Sequence, residues 1–299
     1  MPVTDLLTEI IRTEPGKKPR DDELDLFGLT HPGKVRRENQ DHFLVGTVHH
    51  QVMVHASSLP QVENLPLRGE RLATILMVAD GVGGGTAGAQ ASQLAVRAVT
   101  RYVSSAMQCF HTADRHEEER FFQALREAAF EAHAAVKAEA ATRPEVRSMA
   151  TTLTLAIAVW PWMYVLQVGD SRCYLFWDGE LHQVTRDQTL AQNLVDKGAL
   201  PAERAAASPF ASVLASAIGG HEASPEVVRF AIRRGCVVLL CSDGLTRHLA
   251  DEEIERHIRN MRSSEQLCRT LVELALDRGG SDNITVLVGR ARDAGPAGP

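Results

Sequence analysis

The sequence has no paired-cysteine motif. Its 299 residues hold five cysteines, an odd number, scattered and without a CxxC pair. That sets aside a disulfide framework and a thiolate zinc ribbon. Cys236 and Cys241 fall in one predicted strand and face opposite ways, so reduced thiols in a cytoplasmic protein are expected. Basic charge is also short: 32 Lys and Arg stand against 38 Asp and Glu, a formal net charge of -6. Nucleic acid and anionic membranes both require a basic surface, so neither is expected as the main partner. No apolar run approaches the length that spans a bilayer; the longest, Cys236 to Cys241, reads as a strand. A basic-then-apolar leader and internal repeats are absent too. What is present is 44% hydrophobic and 23% charged residues, enough for a sizeable core in one large domain or two small ones.

Residues 1–24 read as peripheral, with a short helix at Thr4 to Arg12 and a Pro-, Gly- and charge-rich linker after it. Strands are expected at Asp25 to His31, His42 to His50 and Leu72 to Ala79, with a Pro-interrupted loop at 56–70. Two helices follow, Thr86 to Ser105 and Glu117 to Thr142; the second carries an apolar stripe at Phe121, Leu125, Ala128, Ala129 and Ala132. Strands then recur at Thr151 to Val159, Met163 to Val168 and Arg172 to Trp177, the last ending in an Asp-Gly hairpin signal. Residues 187–225 read as a helix and a Pro- and Ala-rich segment. Strands at Val227 to Ile232 and Cys236 to Ser242 precede helices at Asp251 to Arg259 and Ser264 to Arg278. A last strand spans Asn283 to Gly289, and a Gly-Pro tail from Asp293 is expected to be disordered. Hairpin-joined strands and paired helices point to an antiparallel α+β architecture, not to alternating βαβ units.

Four aspartates stand in short Gly-flanked or apolar-flanked contexts: Asp80 in VADGVGG, Asp170 in VGDSR, Asp243 in LLCSDGL and Asp282 in GGSDNIT. Three of them follow directly on a predicted buried strand. A carboxylate at such a tip is poorly solvated and seeks a cation. Several tips together make an oxygen-lined pocket for hard divalent metals. Histidine and cysteine are missing from these motifs, which favours magnesium or manganese over zinc or copper. One Asp-Gly after a strand is often only a turn; the repetition is the signal.

Other motifs give way. GGGTAG, Gly83 to Gly88, satisfies a dinucleotide fingerprint, but Asp80 would repel a pyrophosphate and no acidic residue ends a second strand about twenty residues on. GDSRC lacks the final glycine of a nucleophile elbow. His49, His50 and His55 read as surface histidines, and Arg37 as a solvated turn residue. Arg36, near the acidic group, is suited to a bidentate grip on phosphate.

VRRENQD, VADGVGGG, MATTLT, VGDSRCYL, ELHQVTRDQT, LLCSDGL and SDNITVLV stand in one order. That ordered set, from about Asp25 to Arg290, resembles the metal-dependent protein phosphatases of the 2C type, and their bacterial branch in particular. The resemblance implies an αββα sandwich of two mainly antiparallel sheets flanked by helix pairs. It implies a catalytic domain over 25–291, a flap at about 187–225 and a tail at 292–299. It assigns a binuclear manganese or magnesium centre to Asp80, Asp243 and Asp282, with Asp80 bridging and the Gly81 carbonyl adding a ligand. It assigns a third, weaker metal to Asp170 with Asp243, the substrate phosphate to Arg36 and a supporting place to Asp41. Asn283 follows the last ligand. The implied activity is hydrolysis of phosphoserine and phosphothreonine on proteins by a metal-activated water, opposing a Ser/Thr kinase, in the cytoplasm. The alternatives are a non-catalytic phosphoprotein-binding module on the same fold and, more remotely, a nucleotide-dependent oxidoreductase. Gln40 stands where many relatives have Glu, Val82 replaces a histidine of eukaryotic relatives, and the flap lacks their His-Pro-basic pattern. A metal-bound water is then the first candidate for the proton donor and His42 the second.

Overall fold

A computed structural model describes residues 16–51, 68–84, 86–106, 115–143 and 148–292. Among them twelve strands and six α-helices alternate in blocks. The strands are β1 (Leu24–His31), β2 (His42–Gln51), β3 (Arg68–Ala79), β4 (Gly81–Val82), β5 (Ala150–Thr151), β6 (Leu153–Val159), β7 (Trp162–Val168), β8 (Arg172–Trp177), β9 (Glu180–Gln183), β10 (Glu226–Ala231), β11 (Val237–Cys241) and β12 (Ile284–Ala291). The helices are α1 (Ala87–Ala106), α2 (Arg115–Thr142), α3 (Leu190–Asp196), α4 (Asp243–Thr246), α5 (Asp251–Arg259) and α6 (Ser264–Asp277).

The central strands are buried on both faces, which is why their sequences are continuous apolar runs and not alternations. In β3, Ile75, Met77 and Ala79 pack under α1 and α2, while Leu76 and Val78 point the other way. In β11, Val238 and Leu240 meet Leu76 and Val78 across the sandwich, while Val237, Leu239 and Cys241 pack under α5 and α6. Three apolar layers therefore glue four structural layers: helix pair, sheet, sheet, helix pair. One sheet runs β1-β12-β11-β8-β9, the other β10-β7-β6-β3-β2. Every pairing in both is antiparallel. This α+β sandwich is the expected class, and its antiparallel sheets leave no place for a dinucleotide fold.

Several boundaries differ from expectation. The predicted strand from Thr151 splits, because Thr152 turns its backbone N–H to the Asp80 carbonyl at 2.9 Å. β5 therefore pairs with β4, and β6 with β3. The expected 56–70 loop ends sooner, with β3 beginning at Arg68. β9 was not expected: ELHQ is too polar to read as a strand, yet it pairs β8 through the Asp178-Gly179 turn, where both residues have positive φ. α4 is one turn and has no periodicity to detect. Thr4 to Arg12 and the tail from Asp293 lie outside the described residues. Four of the cysteines are described, and all are free and buried.

The N-terminal stretch that is described lies against the sandwich. Arg71 reaches Asp21 and donates to the Pro19 carbonyl at 2.6 Å, and Glu23 accepts from Arg234 at 2.7 Å. In residues 187–225, α3 is followed by turns, anchored by Ala215 N–H to the Gln188 carbonyl at 2.8 Å and by a bridge between Thr151 and Ile218.

Candidate active site

Strand directions decide which loops meet. β3 and β7 run the same way in one sheet, so Asp80 and Asp170 leave it at the same end. Antiparallel pairing of β11 with β12 sets the end of the first, at Asp243, beside the start of the second, at Asp282. His31 faces Ile284 and His42 faces Ala79, so the 32–41 connection carrying Arg36 and Asp41 crosses this end too. Asp80 consequently feels the charges of Asp41, Asp243, Asp170 and Asp282 together.

Each carboxylate is held from behind. The Asp80 N–H donates to Thr152 Oγ1 at 2.9 Å, and Thr151 Oγ1 donates to the Asp80 carbonyl at 2.8 Å. Thr152 Oγ1 also bonds Ser171 Oγ at 2.8 Å, joining the MATTLT and GDSR motifs. Gly169, with φ of 102°, donates its N–H to Gln188 Oε1 at 2.9 Å and accepts from the Gln188 N–H at 3.0 Å, which ties the Asp170 turn to the start of the 187–225 segment. Asn283 clamps the Arg36 loop: its side chain donates to the carbonyls of Pro32 and Glu38 at 2.9 Å and accepts from the Gln40 N–H at 2.8 Å. Two glycines permit the close approach. A Cβ on Gly244 would lie 1.9 Å from the Asn283 carbonyl oxygen, and one on Gly81 would lie 2.3 Å from that of Gly88. Neither backbone pair can come that near with a side chain between them.

Burial shifts the acids in one direction. Desolvation, with Asp41 and Asp243 beside it, drives Asp80 well above the usual carboxylate range. Desolvation, then the charge of Asp243, pushes Asp170 up to about 8. Burial also lifts Asp243, against the pull of Arg247. Asp41 is lifted to about 6 by burial, although Thr285 and Ser242 oppose this by donating to its Oδ2 at 2.6 and 2.8 Å. Its other oxygen, Oδ1, is buried and has no donor unless it shares a proton with Asp80.

Two arginines partly neutralise the group. Arg36 grips Asp282 bidentately, Nε to Oδ1 and Nη2 to Oδ2, both at 2.8 Å. Arg247 donates from Nε to Asp243 Oδ2 at 2.9 Å. Among the described residues no three His, Cys, Asp or Glu side chains stand as a ready metal cage. The chemistry of the donors nonetheless fits a hard divalent ion: oxygen only, carboxylates raised by burial and then by one another's charge, and one buried oxygen without a partner. Loading an ion requires Asp282 and Asp243 to exchange guanidinium for metal.

Arg36, Asp41, Asp80, Gly81, Asp170, Asp243 and Asp282 are thus all brought to one end of the molecule. His42 is tied to Ser92 at 2.9 Å, and burial lowers its pKa, which disfavours a protonated donor. Val82 is exposed beside Asp80. Ser171 is fully buried and bonded to Thr152, which removes it as a nucleophile. His49 bonds Thr47 and Gly69, away from the site. Sequence reading missed Arg247, Ser242 and Thr285. Only the i,i+4 spacing of Asp243 and Arg247 was visible as a signal.

The chain is thus an α+β protein of two antiparallel sheets between helices, with carboxylates gathered at the ends of its central strands. The chain belongs to the protein phosphatase 2C family, whose model matches residues 67–278. It is 37% identical over 216 residues to the serine/threonine protein phosphatase PstP of Mycobacterium tuberculosis, covering 72% of this chain but 40% of that protein. It is 34% identical to the serine/threonine phosphatase stp of Listeria welshimeri, covering 72% of this chain and 83% of that one. A crystal structure of the PstP catalytic domain in complex with two manganese ions superposes with a TM-score of 0.70 at 30% identity, over 90% of this chain and 99% of that one. No helix among the described residues is long and apolar enough to cross a membrane.

Proposed function

We propose that this chain hydrolyses phosphoserine and phosphothreonine esters on proteins, with 25–291 as its catalytic domain. The observation that carries the reading is the convergence of Asp80, Asp170, Asp243 and Asp282 from four strand ends, with Arg36 at the exposed rim. Asp80, Asp243 and Asp282, with the Gly81 carbonyl, would hold two manganese or magnesium ions. The resemblance adds a third ion at Asp170 and Asp243. Bound there, such ions supply Lewis-acid charge for the phosphoryl oxygens and acidify water at neutral pH.

The chain's own groups do the positioning. The Arg36 guanidinium is half exposed, with 55% of its side chain accessible, and its planar fork fits two phosphate oxygens as readily as the two oxygens of Asp282. Exchange of Asp282 for a phosphate dianion frees the carboxylate for metal and orients the ester for in-line attack. Asp41 cannot move: two hydroxyls fix one oxygen, leaving the other to accept a proton from a water at the site. Asn283 keeps the Arg36 loop in register with Asp282. Residues 187–225 form a flap that would contact the protein substrate.

The second reading, a non-catalytic phosphoprotein-binding module, draws on the arginine partners already at Asp243 and Asp282. One assay separates the two: release of phosphate from a phosphothreonine peptide with manganese and with chelator. The enzyme reading expects turnover with manganese alone, a loss of about a hundredfold or more in Asp243→Asn and a raised KM in Arg36→Ala. Binding of the peptide without turnover would establish the module instead.

A further inference from the structure

Asp243 and Asp282 stand on neighbouring segments, and two contacts join those segments behind the carboxylates. One is the backbone approach of Gly244 to the Asn283 carbonyl. The other is His248, two residues beyond the single turn of α4 and five beyond Asp243. Its Nε2 stands 3.0 Å from the backbone nitrogen of Ser281, the residue before Asp282, and 3.0 Å from the Ser281 hydroxyl oxygen. Its carbonyl accepts from Arg278 Nη1 at 2.9 Å, and the same guanidinium holds Glu253 at 2.5 and 2.6 Å. His248 is therefore bonded to the 278–281 segment by main chain and by ring. An N–H can only donate, which makes Nε2 the acceptor and puts the imidazole proton on Nδ1.

The segment needs such a tie. Gly279 and Gly280, with φ of 118° and 50°, carry the chain from the end of α6 to Ser281, and two successive glycines offer little stiffness of their own. The Lys34 N–H, from the Arg36 loop, holds the Gly280 carbonyl at 2.8 Å. His248, from the Asp243 segment, holds Ser281. Arg36 and Arg247 cannot supply this restraint in a loaded site, because they bind the carboxylate oxygens that a metal ion takes. The His248 bond is made to the backbone, so it persists whether the carboxylates face arginine or metal. We propose that His248 is a positioning residue for the metal centre: by accepting the Ser281 N–H, its ring sets the separation of Asp243 and Asp282. The inference rests on the binuclear reading above and adds to it a group outside the ligand set. Ser281 is exposed, so water replaces the lost acceptor when the ring is removed. The cost then falls on ligand geometry and not on folding.

Manganese binding to the full chain, measured by calorimetry, tests this. His248→Leu removes the acceptor at similar volume. His248→Gln returns an oxygen to the place of Nε2. Both are checked by circular dichroism and by thermal melts in chelator, where they should match the wild type. His248→Leu should bind manganese about tenfold more weakly, and His248→Gln within about twofold of the wild type. With manganese saturating, His248→Leu should lower kcat and leave the KM for a phosphothreonine peptide unchanged, since Arg36 is untouched. A folded His248→Leu chain with wild-type manganese affinity overturns the proposal, and so does a His248→Gln chain as weak as His248→Leu. If His248→Leu does not fold, His248→Asn, polar but too short to reach Ser281, takes its place under the same two criteria. A wild type that binds no manganese defeats the binuclear reading itself, a result distinct from unchanged affinity in the variants.

Discussion

Asp41 shows how much of this site depends on residues that carry no charge. It is 3% exposed, and its carboxyl would be intolerable there without donors. Ser242, from the motif of Asp243, and Thr285, two residues past Asn283, both give their hydroxyls to Oδ2. Thr285 in turn bonds Thr30, and its N–H bonds Ser242. Thr285→Val keeps the shape and removes the donor. It should cost about 1–3 kcal/mol, the penalty of an under-satisfied buried acceptor, and raise the Asp41 pKa further. Urea titration checks the first, and carboxyl NMR the second. A variant as stable as the wild type would show that Asp41 draws its donors from elsewhere.

At the scale of elements, the strands do two separable jobs. Their middles make the core and their ends make the site. Leu240, fully buried between the sheets, belongs to the first. Leu240→Ala should lower unfolding free energy by about 2–5 kcal/mol while leaving the number of bound manganese ions unchanged. Gly244 belongs to the second, since a Cβ there meets the Asn283 carbonyl at 1.9 Å. Gly244→Ala must push α4 away from the start of β12, separating Asp243 from Asp282. Manganese affinity should fall by roughly tenfold or more in calorimetry, the consequence of misplacing a ligand by about an ångström. Equal metal affinity in the two variants would mean that the DGL and SDN segments are not jointly responsible for the centre.

For the whole molecule, the acidic end sets a pH dependence. The raised pKa values of Asp41 and Asp170, about 6 and about 8 against an ordinary 3.8, mean that the metal-free folded chain binds more protons than the unfolded one across that interval. Its stability therefore falls as pH rises from about 4 to about 8. Metal binds the deprotonated carboxylates and removes this loss, so the stabilisation by manganese must grow with pH over the same interval. Thermal melts with manganese and with chelator, taken between about pH 5 and pH 8, should show a widening difference in Tm. A difference that stays constant or narrows would mean that the ion does not bind at this acidic cluster.

Much of this was legible in the chain. The double-sided burial of β3 and β11 appears as apolar runs, ILMVA and VVLLC, and the DG and SDN motifs lie where strands stop or start. β9 and α4 were not legible, since four polar residues and one helical turn carry no period. The N-terminal stretch read as linker because charge and proline are all a sequence shows of it. Its bonds to Arg71 and Arg234 join residues about fifty to two hundred positions apart.

What the sequence determined by itself is the inventory: carboxylates at strand tips, with Arg36 and Arg37 before Asp41, because local pattern and side-chain chemistry are properties of neighbours. What only the tertiary structure decided is who faces whom. Arg36 on Asp282, Ser242 and Thr285 on Asp41, and Arg247 set between Asp243 and Asp282 each follow from packing two sheets face to face with their strand ends aligned. Those encounters depend on strand direction and register, which no single stretch of chain contains.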